Sequence, residues 1–319
     1  MTRPALVGDI GGTNARFALV TPGEFNLHNI EALACADYAN LDEAVEAYLE
    51  KVGSESPKEA CLAFACPVHD DEVKMTNNPW HFSKSAVKKK LGLDNFKAIN
   101  DFTAMALGLP HIKPDDLVQI GEGGSESGRA RLVMGPGTGL GLAGLAPSQR
   151  FWIPLSAEGG HASFAPTDEF EMELLAWFRK RYGRVSIERM LCGQGLLDLC
   201  TAHAEFAGQS SVCNTPSGVS EAARNGDEIA TQAMMRFCKI LGDVTGDVTL
   251  TLGARGGVYL CGGILPKILD FLQASDFRKA FANKGRMEAY NASIATWVVT
   301  EKWTGLLGAA EALHNEEVS

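Results

Sequence analysis

Apolar positions along this chain follow two rhythms. Short runs at Ala5-Leu6-Val7, Cys61-Leu62-Ala63-Phe64-Ala65, Phe96-Lys97-Ala98-Ile99, Arg131-Leu132-Val133-Met134 and Val258-Tyr259-Leu260-Cys261 read as strands. Between them, apolar residues recur three and four apart. Leu41, Val45, Leu49 and Val52 form one helical stripe, and Leu174, Leu175 and Phe178 form another within 170–182. A longer helix runs from an Asp227 N-cap through Ile229, Phe237, Ile240 and Val244 to Gly253. Its Gly242 and Gly246 each cost roughly 1 kcal/mol of helix propensity, which implies close approach of another backbone. Further strands are expected at 140–145, near Phe151-Trp152-Ile153 and at 295–299, with a terminal helix from Gly305 to Leu313. Strands alternating with helices imply an α/β fold with mixed or parallel sheets.

The turns between strands carry the first chemical signal. Gly8-Asp9-Ile10-Gly11-Gly12-Thr13-Asn14 leaves one strand and leads straight into the next, Ala15 to Val20. Glycines let the backbone bend sharply and bring N–H groups near phosphate oxygens, Thr13 adds a hydroxyl, and Asp9 can hold a hydrated cation. Gly135-Pro136-Gly137-Thr138-Gly139-Leu140-Gly141 repeats the design. Either turn alone also fits a tight hairpin with no ligand. Together they suggest a duplicated fold whose halves grip a nucleotide from both sides. Gly139-Leu140-Gly141-Leu142-Ala143-Gly144 matches a dinucleotide fingerprint by letter, but alternating Leu and Gly lead into Pro147 rather than a helix, so we set it aside. The chain has no G-x-x-x-x-G-K-[ST].

A length of 319 residues suggests roughly two domains, and 45% hydrophobic content is enough for a core in each. A formal net charge of -10 argues against a broad nucleic-acid surface. Lys88-Lys89-Lys90 follows Ser83, Ala86 and Val87 and reads as the solvated face of a short helix. Gly121 to Gly128 reads as an exposed loop. The 8 cysteines form no C-x-x-C pair, which disfavours disulfide frameworks and zinc sites. With no signal-peptide core before Gly8 and no run long enough to span a bilayer, a cytoplasmic protein is expected.

At the level of motifs, Gly8 to Val20, Gly135 to Gly141 and Gly257 to Pro266 resemble the phosphate-1, phosphate-2 and adenosine segments of the actin-like sugar-kinase superfamily. Ile99-Asn100-Asp101-Phe102-Thr103-Ala104, Glu158-Gly159-Gly160-His161 with Phe164-Ala165-Pro166, and Val185-Ser186-Ile187-Glu188-Arg189 resemble the sugar-binding segments of bacterial glucokinase, in the same order. Repressor-related sugar kinases carry a cysteine-rich zinc motif after the glycine-histidine segment. This chain has none there, which places it with the zinc-free type. Pro136 departs from the small residue usual in the family and leaves Gly137, Thr138 and Gly139 to face the phosphates.

The resemblance implies two actin-like, ribonuclease H-like α/β domains with an interdomain cleft. Residues 1–110 plus 302–319 would form a small N-terminal domain with a returning C-terminal helix, and 111–301 a larger one. It implies ATP-dependent phosphorylation of D-glucose at the 6-hydroxyl, with ATP and Mg2+ and a cytoplasmic homodimer. Asp101 becomes the catalytic acceptor, although spacing alone also fits an Asn-Asp helix cap before Phe102. Asn100, Asp101, Glu158, His161 and Glu188, with Thr76 and Asn77, become sugar contacts. His161 equally fits a polar loop residue, Glu188 a first-turn helix acid after Ser186, and Thr76-Asn77 a plain turn. Gly8, Asp9, Gly11, Gly12, Thr13 and Asn14 would hold nucleotide, with Asp9 on Mg2+ through water. Gly137, Thr138 and Gly139 would face it from the second turn, and Gly262 and Gly263 from the adenosine side. A kinase for another hexose or an acyl group is one alternative. A non-catalytic sugar sensor is another, but such proteins carry a DNA-binding segment ahead of the first phosphate strand, and here that strand starts within five residues. An actin-like filament or chaperone ATPase would not need Glu158 to His161.

Overall fold

A computed structural model describes residues 3–54, 56–211 and 213–318. The chain divides into two compact units, one of Met1–Pro114, Leu145–Ser156 and Glu301–Ser319, the other of Asp115–Gly144 and Ala157–Thr300. The first begins with β1 (Ala5–Ile10), β2 (Asn14–Val20), β3 (His28–Ala34), α1 (Leu41–Val52) and β4 (Glu59–Phe64). After a small pair, β5 (Glu72–Lys74) and β6 (His81–Ser83), come α2 (Lys84–Lys90), β7 (Asn95–Asn100) and α3 (Asp101–Gly108). Its sheet has the order β3-β2-β1-β4-β7. The hairpin β1–β2 and its neighbour β3 are antiparallel, while β4 and β7 continue parallel to β1. Asn40 caps α1 by accepting from the Glu43 amide, and Gly53 ends it at φ 63°. Ser83 caps α2 and leaves Lys88, Lys89 and Lys90 exposed in the last turn, where cations suit the helix dipole. Leu6, Phe17, Tyr48, Leu62 and Phe64 fill the core of this unit.

The chain continues through β8 (Leu117–Gln119), β9 (Arg131–Pro136), β10 (Leu140–Pro147) and β11 (Trp152–Ala157). Helices follow: α4 (Glu169–Tyr182), α5 (Ile187–Met190), α6 (Gly193–Phe206), α7 (Pro216–Arg224) and α8 (Glu228–Leu252). Then come β12 (Val258–Leu260), α9 (Leu269–Ala274), α10 (Phe277–Ala282), α11 (Glu288–Ala292), β13 (Thr296–Val299) and α12 (Thr304–His314). The second unit's strands run β10-β9-β12-β13-β8, with β9, β12 and β13 parallel. A glycine hairpin followed by two parallel strands thus occurs twice. Asp227 caps α8 and Gly253 ends it, as its sequence pattern predicts. A Cβ at Gly242 would lie 2.2 Å from the Phe277 carbonyl and one at Gly246 2.5 Å from that of Phe281, so α10 is the backbone those glycines admit. Residues 121–128 are exposed loop apart from one bridge between Gly124 and Ile294.

The stretch 145–156 counts with the first unit, whereas the sequence reading has it in the larger part. The Ser156 hydroxyl lies 2.6 Å from that of Thr103 on α3, and Asn315, just past α12, donates to the Trp152 carbonyl at 2.8 Å. Helix α12 packs on α3 at very short range. A Cβ at Gly308 would lie 1.7 Å from the Ala104 carbonyl oxygen, and one at Gly108 2.2 Å from that of Thr304.

Candidate active site

The first glycine turn is built by β1 and β2. Three residues, Gly11 to Thr13, connect paired strands, and the Gly11 amide closes the turn onto the Asn14 carbonyl at 3.0 Å. That leaves the amides of Gly12 and Thr13 with no backbone acceptor among the described residues. Exposed Thr13 and half-buried Gly12 form the outer face of the turn. A Cβ at Gly12 would meet the Asn77 Cβ at 2.6 Å, so the segment carrying Thr76 and Asn77 packs on the turn. Asn78 pins it there by donating to the Gly11 carbonyl at 3.3 Å, and Trp80, fully buried, anchors the segment through its indole N–H to Tyr38. Gly8 stands elsewhere. It lies inside the sheet, where a Cβ would sit 2.6 Å from a Leu62 methyl, so its glycine answers to core packing.

Asp9 and Arg16 face each other across the hairpin register, and Arg16 donates to the Asp9 carboxylate at 3.1 Å. Crowding by surrounding protein raises the Asp9 pKa above the usual carboxylate range, with Arg16 pulling the other way. Gly305, in the first turn of α12, brings that helix's N-terminal end against Asp9: a Cβ there would lie 3.3 Å from the Asp9 carboxyl carbon.

Strand β7 delivers Asn100 and Asp101 to the start of α3. The Asn100 side-chain oxygen accepts from the amides of Phe102 (2.9 Å) and Thr103 (3.3 Å), so Asn100 is the N-cap. Its two side-chain amide protons take no part in that cap. Asp101, half-buried, accepts from the Phe102 amide at 2.9 Å, which fixes its carboxylate at the helix mouth.

In the second unit, the turn from β9 to β10 differs from expectation at Gly137. Its amide donates to the Gly139 carbonyl at 2.7 Å and its own carbonyl accepts from Gly193 at 2.9 Å, so only the Thr138 and Gly139 amides lack a backbone acceptor among the described residues. Gly262 (φ 91°) would put a Cβ 2.7 Å from the Pro136 carbonyl, and Gly263 is exposed with open space around it. Gly262 therefore packs against the second turn, and Gly263 follows it into open space. Asn14 opens β2 and is half-buried.

Glu158, exposed, precedes a single helical turn over Gly159–His161. The two glycines answer to β10 rather than to open space: a Cβ at Gly160 would lie 2.3 Å from the Leu140 carbonyl, and one at Gly159 2.6 Å from a Leu142 methyl. His161 stands between two carboxylates, with Nε2 4.0 Å from Glu158 and Nδ1 3.9 Å from Glu188. Glu188 does sit in the first turn of α5 after the Ser186 cap. Its carboxylate reaches further, accepting from the Leu140 amide at 2.9 Å. The structure thus gathers Glu158, His161 and Glu188 in one unit, and Asp9, Gly12, Thr13, Asn77, Asn100 and Asp101 in the other.

Sequence reading omits Arg16, Asn78 and the Glu188–Leu140 bond. With Gly11 to Asn14 as the unpaired connection, counting residues outward pairs Ile10 with Ala15 and Asp9 with Arg16, so that contact was available. The other two join segments far apart in sequence and carry no local signal.

The glucokinase family profile matches residues 6–316 of the chain. A glucokinase of Chromohalobacter salexigens is 66% identical over 319 residues, 100% of both chains. One of Neisseria meningitidis is 44% identical over 313 residues, 98% of this chain and 95% of that one. Among solved structures, glucokinase from an Antarctic psychrotroph aligns with a TM-score of 0.91 at 37% identity, covering 99% of this chain and 100% of that one. A ROK family glucokinase from Streptomyces griseus, in complex with glucose and AMPPNP, shares the fold at 19% identity and a TM-score of 0.65, with 97% and 99% covered.

Proposed function

The chain belongs to the glucokinase family, with its actin-like two-domain fold and its ATP-dependent phosphorylation of glucose, and from that premise we propose which of its residues do the work. Full-length identity of 66% carries the reading. In phosphoryl transfer a protein must align the attacking hydroxyl, spread the charge on the phosphates and accept a proton late. Asp101 is the proton acceptor for the 6-hydroxyl: its carboxylate is immobilised by the Phe102 amide. Asn100 spends its oxygen on capping and keeps its amide protons for a sugar oxygen. Glu158, His161 and Glu188 supply acceptors and a mixed donor-acceptor for the remaining hydroxyls. A hydrogen bond to a charged group contributes about 1.5–3 kcal/mol, so an epimer that leaves one of these carboxylates unpaired is rejected on that scale.

The amides of Gly12 and Thr13 on one turn, and Thr138 and Gly139 on the other, face the phosphates, and Gly262 and Gly263 take the adenosine side. Asp9 fits a Mg2+ held through water. It offers one hard oxygen donor, and among the described residues no group of three or more His, Cys, Asp or Glu could hold a metal, so phosphate oxygens and water would complete the shell. Bound there, the ion would offset phosphate charge as it develops. Thr76 and Asn77 keep their place in this proposal as sugar contacts, with Asn77 packed on Gly12 of the first turn. A cytoplasmic homodimer belongs to the same proposal. All eight cysteines are unpaired and buried, as suits a reducing compartment, and sedimentation tests the dimer. ADP release measured with glucose, other hexoses and no sugar tests the whole: turnover should need glucose, and sugar-independent ATP hydrolysis would overturn the assignment.

A further inference from the structure

Two segments assigned above to the sugar meet the second glycine turn at a single residue. Leu140, the first residue of β10, is held from both sides: its amide donates to Glu188 Oε2 at 2.9 Å, and its carbonyl oxygen packs against Gly160, where a Cβ would lie at 2.3 Å. Gly139, one residue back in the turn, leaves room for the same carboxylate. A Cβ at Gly139 would stand 2.4 Å from Glu188 Oε2. The other oxygen, Oε1, lies 3.9 Å from His161 Nδ1. Backbone bonds tie these pieces further: Ile187 donates to Ala162 at 2.9 Å, Phe164 to Val185 at 3.1 Å, and Arg184 reaches the His161 carbonyl at 2.8 Å.

We infer that Glu188 is a positioning residue that couples the two substrates, one carboxylate oxygen facing the sugar side with His161 while the other holds the Leu140 amide and so sets the second phosphate turn. The inference rests on the proposed sugar role of Glu188 and adds a link to it. Glucose that hydrogen-bonds to Oε1 restricts the rotation of the whole carboxylate, because both oxygens share one χ3 torsion. Oε2 is then kept on Leu140, and the Thr138 and Gly139 amides stay aimed at the nucleotide. By linkage, whatever factor glucose adds to nucleotide affinity, nucleotide adds to glucose affinity.

Direct binding separates the link from the sugar contact. Glucose affinity without nucleotide would be measured by calorimetry for the natural chain, Gly139→Ala and Glu188→Ala, and affinity for AMPPNP with and without saturating glucose for the same three. Glucose should tighten AMPPNP binding about fivefold or more in the natural chain. Gly139→Ala, whose methyl group evicts Oε2, should weaken glucose about tenfold although position 139 lies in the nucleotide turn. Glu188→Ala, which removes both oxygens, should weaken glucose and abolish the coupling. Matching melting curves would verify that both variants fold. Should Gly139→Ala bind glucose like the natural chain, or coupling persist in Glu188→Ala, the link is overturned while the sugar role stands. Should Glu188→Ala leave glucose affinity unchanged, the sugar role itself fails.

Discussion

Replacing Gly308 by Ala tests how closely the last helix sits on the one that begins with Asp101. In an exposed helix this change gains about 1 kcal/mol of propensity. Here the new Cβ would start 1.7 Å from the Ala104 carbonyl oxygen, whereas contacts below 3.4 Å are already tight, so α12 and α3 must part by about 1.7 Å. Neighbouring close contacts resist that motion. Thr304 of α12 sits against Gly108, and Gly305 against Asp9. Overpacking of this kind costs roughly 3 kcal/mol. The balance is a loss of about 2 kcal/mol, which corresponds to a fall in Tm of roughly 4–8 °C. Thermal unfolding followed by circular dichroism reads it directly. Because propensity and packing have opposite signs at this position, an unchanged or raised Tm would refute the close crossing of the two helices.

Asp101→Asn should lower kcat by roughly 10²–10⁴-fold while changing ATP affinity far less, as steady-state kinetics would reveal; near-normal turnover removes Asp101 from the chemistry. His203 gives an acid limit. Its burial against Phe170, with Arg236 nearby, pushes its pKa from 6.5 down to about 4. The unfolded chain takes up that proton first, so this stability is complete above about pH 6.5 and declines as pH falls toward 4, by on the order of 3 kcal/mol in all. The urea midpoint should therefore drop between pH 7.5 and pH 5, and His203→Phe should flatten that drop. Lys97 donates to the carbonyls of Ala312 (2.8 Å), Asn315 (3.0 Å) and Val318 (2.7 Å), so Lys97→Met should loosen the chain after α12, seen as faster amide exchange there while exchange in α8 is unaltered.

Local signals carried most of the framework. The glycine hairpins, the Asn100 cap and the helix from Asp227 to Gly253 each rest on residues within a few positions of one another, and those sequence rules act over that range. Helices α6 and α7 escaped. Cys192 is an unusual cap for α6, and Gly193 and Gly195 hide its helical rhythm, although Thr215-Pro216 before α7 was a readable start. Within the site, the residue types were legible and their partners were not. Gly160 and Gly8 look like ligand glycines in sequence, and only the facing Leu140 carbonyl and Leu62 methyl reveal what their missing side chains make room for. The commitment of the Gly137 amide was equally hidden, since it depends on the turn's own backbone closure.

Because the first compact unit needs both β1 and α12, its hydrophobic interior stays unfinished during synthesis until the final helix leaves the ribosome. The second unit, Asp115–Gly144 with Ala157–Thr300, has all its parts before then. At about 5–20 residues per second, the five strands of its sheet, complete at Asn100, wait many seconds with the groove for α12 uncovered. The order of maturation on the ribosome is therefore the reverse of the order of translation, and a nascent chain halted before Glu301 would expose the apolar faces of β1 and α3 to chaperones.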